Sequence, residues 1–136
     1  MNKKVLFITD SLEDLDLKKD TSILMMEESI KLGFDVYQCL VEDLYAENSE
    51  VIVFAKKITT AGSSEIKFED ASTHSIKTFE YSFMRKDPPV DEDYINALHL
   101  LGLAQAMGTK VFNNPVSIKE FNEKVFAIHF AKYIPE

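Results

Sequence analysis

Lys4-Val5-Leu6-Phe7-Ile8-Thr9-Asp10, read with Gly33-Phe34-Asp35-Val36-Tyr37-Gln38-Cys39-Leu40, decides the fold. Val5 to Ile8 is a short apolar run with lysines before it and Thr9-Asp10 after it. A strand covered on both faces reads this way. Phe34 to Leu40 reads as a second strand. Between them, Asp20-Thr21-Ser22 precedes Ile23, Met26 and Ile30 at helical spacing, and Gly33 closes the segment as a glycine just past a helix end. A strand, a loop, a helix and a strand in succession favour parallel pairing through a right-handed crossover.

Working outward, Val51 to Phe54 reads as a strand, and Ile66-Lys67-Phe68-Glu69 alternates as a half-exposed strand does, with a turn at Gly62-Ser63-Ser64. This middle part is expected to be a small antiparallel excursion near a sheet edge. Parallel organisation resumes with a strand over 80–84. Two prolines, Pro88 and Pro89, then stop regular structure. Asp91-Glu92-Asp93 places acid in the first turn of a helix, where the dipole favours it. Tyr94, Leu98 and Leu101 mark its apolar stripe, Gly108 ends it, and Lys110 to Phe112 is a strand. Ser117 and Glu120 form a capping box, with Val116 and Phe121 as the staple, at the head of a last helix over 117–131. The expected fold is α/β: an open, mainly parallel three-layer sheet with helices on both faces, strands near 4–9, 34–39, 80–84 and 110–113, and a small hairpin insertion.

With 136 residues the chain suits a single domain, 1–136, and Tyr133-Ile134-Pro135-Glu136 reads as a domain boundary. Fifteen basic against 23 acidic residues give a net charge of -8, which argues against nucleic acid or an anionic membrane as partner. Cys39 is the only cysteine, so no internal disulfide forms, and a reducing, cytoplasmic setting is expected. The thiol reads as a small apolar side chain at a strand end. Val5 to Ile8 is too short for a signal segment or a membrane span. His74, His99 and His129 are scattered without metal-ligand spacing.

Ligands of open α/β sheets bind beyond the carboxyl ends of the parallel strands. Three polar clusters fall there: Thr9-Asp10-Ser11 continuing into Lys18-Lys19-Asp20-Thr21-Ser22; Arg85-Lys86-Asp87; and Asn113-Asn114-Pro115 leading towards Lys124. Together they make a rim of cations and donors in an acidic protein, suited to a small anion. Each has a plainer reading. Asp20 caps its helix, Arg85 pairs with Asp87 or Asp91, and Lys124 pairs with Glu120 one helical turn away. There is no Walker sequence and no Gly-x-Gly-x-x-Gly, so no phosphate cradle is legible.

These segments resemble the prokaryotic glutathione synthetases. Met84-Arg85-Lys86-Asp87-Pro88-Pro89, followed by Asp91 and Tyr94-Ile95, looks like a signature of that family. Lys18-Lys19-Asp20-Thr21-Ser22, Glu42-Asp43-Leu44-Tyr45, Asn113-Asn114-Pro115-x-Ser117 and Asn122-Glu123-Lys124 match it in order and spacing. The family joins γ-glutamylcysteine to glycine with ATP and magnesium, through an acyl phosphate on the cysteinyl carboxylate. The resemblance implies an amino-terminal, pre-ATP-grasp domain, inactive in isolation and homo-oligomeric in the intact enzyme, with ATP and magnesium held mainly by later subdomains. It implies that Arg85, Lys86 and Asp87, with Asp10, Thr21 and Ser22, face the peptide, and that Lys124 reaches the ATP phosphates. No catalytic residue and no metal ligand is implied on this chain. Two positions depart from the pattern: Asp10-Ser11 stands where Asp-Pro is common, and Asn114 stands where Lys is common, which removes a cation from the rim. The alternative reading is a non-enzymatic α/β ligand-binding or interaction module built on the same domain. A receiver-type signalling domain fits less well, because the first strand leads into Asp10-Ser11 rather than paired acids. Sequence beyond Glu136 carrying a glycine-rich loop and later Glu and Asn metal ligands would favour the ligase.

Overall fold

The computed structural model describes residues 2–87 and 89–113. Its opening unit is β1 (Lys4–Ile8), α1 (Thr21–Lys31) and β2 (Asp35–Cys39), with the two strands parallel from Lys4↔Asp35 to Ile8↔Cys39. The chain continues through β3 (Leu44–Glu47), β4 (Glu50–Ala61), β5 (Ile66–Phe68), β6 (Ser72–Ser75), β7 (Tyr81–Met84), α2 (Glu92–Ala106) and β8 (Val111–Phe112). Strand order is β3-β4-β2-β1-β7-β8, and β5 and β6 also pair with β4. The run β2-β1-β7-β8 is parallel, as the sequence predicts. The antiparallel part is larger than a small hairpin. β4 spans twelve residues and pairs in turn with β2, β3, β5 and β6. The helix expected over 117–131 lies outside the described residues.

The apolar run of β1 is continuous because both of its faces are covered. Val5 and Phe7 pack with Ile23 and Met26 of α1, Val36, Ile58 and Phe83. Leu6 and Ile8 pack with Ala97, Leu101 and Ala104 of α2, Val53 and Met84. Successive strand side chains point to opposite faces, so one strand feeds two cores. Fully burying each such side chain is worth about 1.5–3 kcal/mol.

Both helices end as glycine predicts. Gly33 and Gly108 have φ of 92° and 105°, and the amides of Phe34 and Thr109 reach back to the carbonyls of Ser29 and Ala104, each at 3.0 Å. This is the Schellman closure, which meets carbonyls the last turn would leave unpaired. At the other end of α1, Asp20 accepts from the amide of Ser22 at 2.8 Å, so its plainer reading as a cap holds.

β3 and β4 are joined by two residues, Asn48 and Ser49, with φ of 50° and 66°. Two left-handed residues match the twist of a hairpin, and glycine is the residue that suits the second. A serine there carries part of the roughly 1–2 kcal/mol left-handed penalty. Ser49→Gly should therefore stabilise the chain by about 0.5–1 kcal/mol, after allowing for glycine's freer unfolded state. A urea midpoint that stays put or falls would show the turn to be unstrained.

At the amino end of β1, the Lys4 Nζ lies 2.9 Å from His74 Nδ1 and donates to Thr78 Oγ1 at 3.0 Å. It sits over the rings of Tyr37 and Phe79, 5.2 and 4.5 Å from their centroids. With the ammonium as donor, His74 Nδ1 accepts and Nε2 donates to Ser72 Oγ at 2.8 Å. Burial, then the Lys4 charge, hold His74 below its usual 6.5. The unfolded chain thus takes up this proton more readily, and stability falls as pH drops from about 6.5 towards the lower folded value. We expect the urea midpoint to fall between about pH 7.5 and about pH 5.5, and His74→Gln to flatten that slope. Equal slopes in the two proteins would refute the linkage.

Candidate functional site

The four parallel strands run the same way, so the segments leaving their carboxyl ends share one rim. Behind it, Thr9 continues β1 by donating its amide to the Cys39 carbonyl at 3.0 Å. Its hydroxyl donates to the carbonyl of Asp10 at 2.7 Å. Gln38, buried in β2, donates to that hydroxyl at 3.0 Å and to the Cys39 carbonyl at 3.2 Å. These contacts fix where the Asp10 side chain starts. Cys39 itself is buried, and burial followed by the Asp43 charge pushes its thiol well above its ordinary range, so the thiolate that nucleophilic or redox chemistry would need is disfavoured.

From there Asp10 spans to the segment after β7. Its Oδ1 accepts from Lys86 Nζ at 2.8 Å and its Oδ2 from the amide of Asp87 at 3.1 Å. Side-chain exposure is 17% for Lys86 and 28% for Asp10, so the pair is shielded without being sealed. The hydrogen bond to Asp10 raises Lys86 above its ordinary 10.5; burial opposes this, and the charges of Asp10, Asp91 and Asp87 assist. Lys86 is accordingly charged throughout the neutral range. Arg85 keeps β7 on course, its amide donating to the Ile8 carbonyl at 2.8 Å. Its Nε donates to Ser22 Oγ at 3.1 Å on the first turn of α1. Among the described residues the terminal guanidinium nitrogens meet no partner, which leaves the two-pronged end able to clasp a carboxylate.

Of the residues singled out from the sequence, the fold brings together Asp10, Lys86 and Asp87 in one cluster and Arg85 with Ser22 in the next. Thr21 lies exposed beside Ser22, and Asn113 is exposed past β8. Lys124, Asn114 and the capping-box helix lie outside the described residues. Arg85 pairs with neither Asp87 nor Asp91 among the described residues. Thr9 was named only as part of the first polar cluster, and Gln38, which holds the rim from behind with it, was not singled out by sequence. A glutamine within a strand flanked by apolar residues, which must find partners if buried, was the available signal. Among the described residues, no three His, Cys, Asp or Glu side chains group to hold a metal ion, and no helix is long and apolar enough to cross a membrane.

Residues 3–119 match the family model for the prokaryotic glutathione synthetase N-terminal domain. The chain belongs to that family. Among curated relatives, the glutathione synthetase of Parasynechococcus marenigrum (strain WH8102) is 33% identical over 129 residues, 95% of this chain and 41% of that protein. That of Neisseria meningitidis serogroup A is 33% identical over 136 residues, covering 96% and 43%. That of Salmonella typhi is 31% identical over 135 residues, covering 98% and 43%. The chain thus spans about two fifths of the relatives it matches, and the glutathione synthetase N-terminal domain accounts for nearly all of it.

Proposed function

We propose that this chain is a single domain, 1–136, forming the substrate side of an ATP-dependent ligase that joins γ-glutamylcysteine to glycine. Ligation belongs to the whole protein rather than to these residues. The observation that carries the reading is the rim itself. A carboxylate, Asp10, pins the segment after β7, while Arg85 is oriented by Ser22 with the end of its guanidinium open. In this reading Arg85 holds a peptide carboxylate, Lys86 and Asp87 complete the wall with Asp10, and Thr21 and Ser22 line the α1 side. The family resemblance assigns the ATP phosphates to Lys124. Magnesium is assigned with ATP to the rest of the whole protein, and no residue of this chain is given a metal role in this reading. ATP supplies the phosphoryl group that activates the peptide carboxylate; this domain's part is to bind and orient the peptide. In this reading the intact enzyme works in the cytoplasm as a homo-oligomer.

Arg85→Lys in the full-length protein tests this. Lysine keeps the charge but not the paired donors. The Michaelis constant for γ-glutamylcysteine should rise by about tenfold, the worth of one charge-assisted hydrogen bond, while that for ATP moves by less than about twofold. Unchanged constants for the peptide would make Arg85 a structural residue.

A further inference from the structure

A cleft of about 210 Å³ opens next to the rim, between the segment after β1, the segment after β2, and β4. Gln38 faces Lys56 across β2 and β4, two positions along from the Val36↔Ile58 pair that packs under α1. Both therefore stand on the α1 face of the sheet. Leu12, Leu40, Asp43 and Phe54 complete the wall that matters here.

Three of these groups have bonding capacity left over. Gln38 is 2% exposed. Its Nε2 donates to Thr9 Oγ1 and to the carbonyls of Cys39 and, at 3.4 Å, Asp10, which fixes the amide's orientation and leaves Oε1 as its other end. That oxygen has no donor among the described residues and is not one of their sealed, unpaired polar atoms, so a ligand in the cleft can reach it. Asp43 uses Oδ2 to accept from the Leu40 amide at 2.9 Å, leaving Oδ1. Lys56 has no carboxylate within ion-pair distance among the described residues; its Nζ lies 4.6 Å from the Phe68 ring. Phe54, in the middle of β4, is 47% exposed.

We propose that this cleft binds the free α-amino-carboxylate head of a small amino acid with an apolar side chain. The carboxylate meets Lys56, the ammonium meets Asp43 Oδ1 and Gln38 Oε1, and the side chain lies on Phe54, Leu12 and Leu40. The geometry suits the ligand. Facing residues on antiparallel strands stand about 4.5–5.5 Å apart at Cβ, and an amino acid carries its two charges on one carbon, so it can span the gap. Apolar walls with polar groups converging on them are the usual form of a small-molecule site, and here Leu12, Leu40, Phe54 and Ala71 stand beside Ser11, Gln38, Asp43 and Lys56. The inference does not depend on the ligase reading. Because γ-glutamylcysteine carries the same head group on its glutamyl end, the test separates the two sources.

Equilibrium dialysis of labelled L-leucine against the full-length protein decides it. We expect saturable binding at one site per chain. L-leucinamide, which lacks the carboxylate, and N-acetyl-L-leucine, which lacks the ammonium, should bind about tenfold more weakly or worse. Lys56→Gln and Phe54→Ser should each weaken L-leucine by a similar factor with an unchanged thermal midpoint, and Arg85→Lys should leave it alone. Absence of saturable binding overturns the proposal, as does binding indifferent to both cleft variants. If γ-glutamylcysteine displaces L-leucine, binds more tightly and shows the same dependence on Lys56, the head group is the peptide's and the free amino acid is the wrong ligand.

Discussion

Phe83→Ala should lower the stability of this chain by about 3–5 kcal/mol, the usual cost of emptying a buried phenylalanine site. Phe83 is 1% exposed. Its ring stacks on Phe7 at 5.0 Å with 18° between planes, and on Phe112 at 5.3 Å with 22°. The three residues are register partners on β1, β7 and β8, so one row of rings ties three parallel strands together on the α1 face. Removing the middle ring leaves a void between two strands that cannot close up without breaking their pairing. Against a total of about 5–15 kcal/mol the loss is severe, and the thermal midpoint should fall by roughly 10–20 °C. Leu24→Ala, on the exposed side of α1 at 56% exposure, should change stability by no more than about 0.5 kcal/mol. Comparable losses at the two positions would show that the ring row is not what holds the parallel strands.

Asp10→Ala in the full-length protein should raise the Michaelis constant for γ-glutamylcysteine by roughly 10- to 100-fold while leaving that for ATP within about twofold. Asp10 is the only described side chain that reaches from the segment after β1 to both Lys86 and the Asp87 amide. Both contacts involve an ionised group, so each is worth about 1.5–3 kcal/mol. Without them Lys86 keeps its charge but loses its position, and the wall opposite Arg85 loosens. Asp10→Asn, which keeps one acceptor oxygen, should lie between the two. A peptide constant that stays unchanged while stability drops would reduce Asp10 to a structural pin.

Much of this architecture was legible in the sequence, for reasons that can be named. The apolar run of β1, the helical spacing of Ile23 and Met26, and the two helix-ending glycines each follow from local chemistry. In α2 the expected stripe was Tyr94, Leu98 and Leu101; the most buried positions are Ala97, Leu101 and Ala104. Small side chains let the helix approach the sheet, and hydrophobicity alone undervalues them. β3 and β6 were not legible as strands. Only Leu44 of β3 is buried, and β6 is Ser-Thr-His-Ser with none buried. Such strands are held by backbone bonds to β4, which no side-chain pattern announces. The full length of β4 was masked in the same way, since Lys56-Lys57 interrupts its apolar run. At the rim the residue types were found but the partners were not. Sequence neighbours suggested Arg85 with Asp87 or Asp91, whereas the contacts formed are Arg85 with Ser22 and Lys86 with Asp10, 63 and 76 positions apart.

Those separations also set an order of events. During synthesis at about 5–20 residues per second, the β3–β4 hairpin can close soon after it emerges, because its partners are neighbours. The pairing of β1 with β7 must wait, since Val5 pairs with Tyr81, and contacts so distant along the chain form late. The clasp of Asp10 on Lys86 belongs to this last stage. A nascent or partly folded copy would hold the residues of the rim without the rim, so the proposed binding there would double as a readout of completed folding.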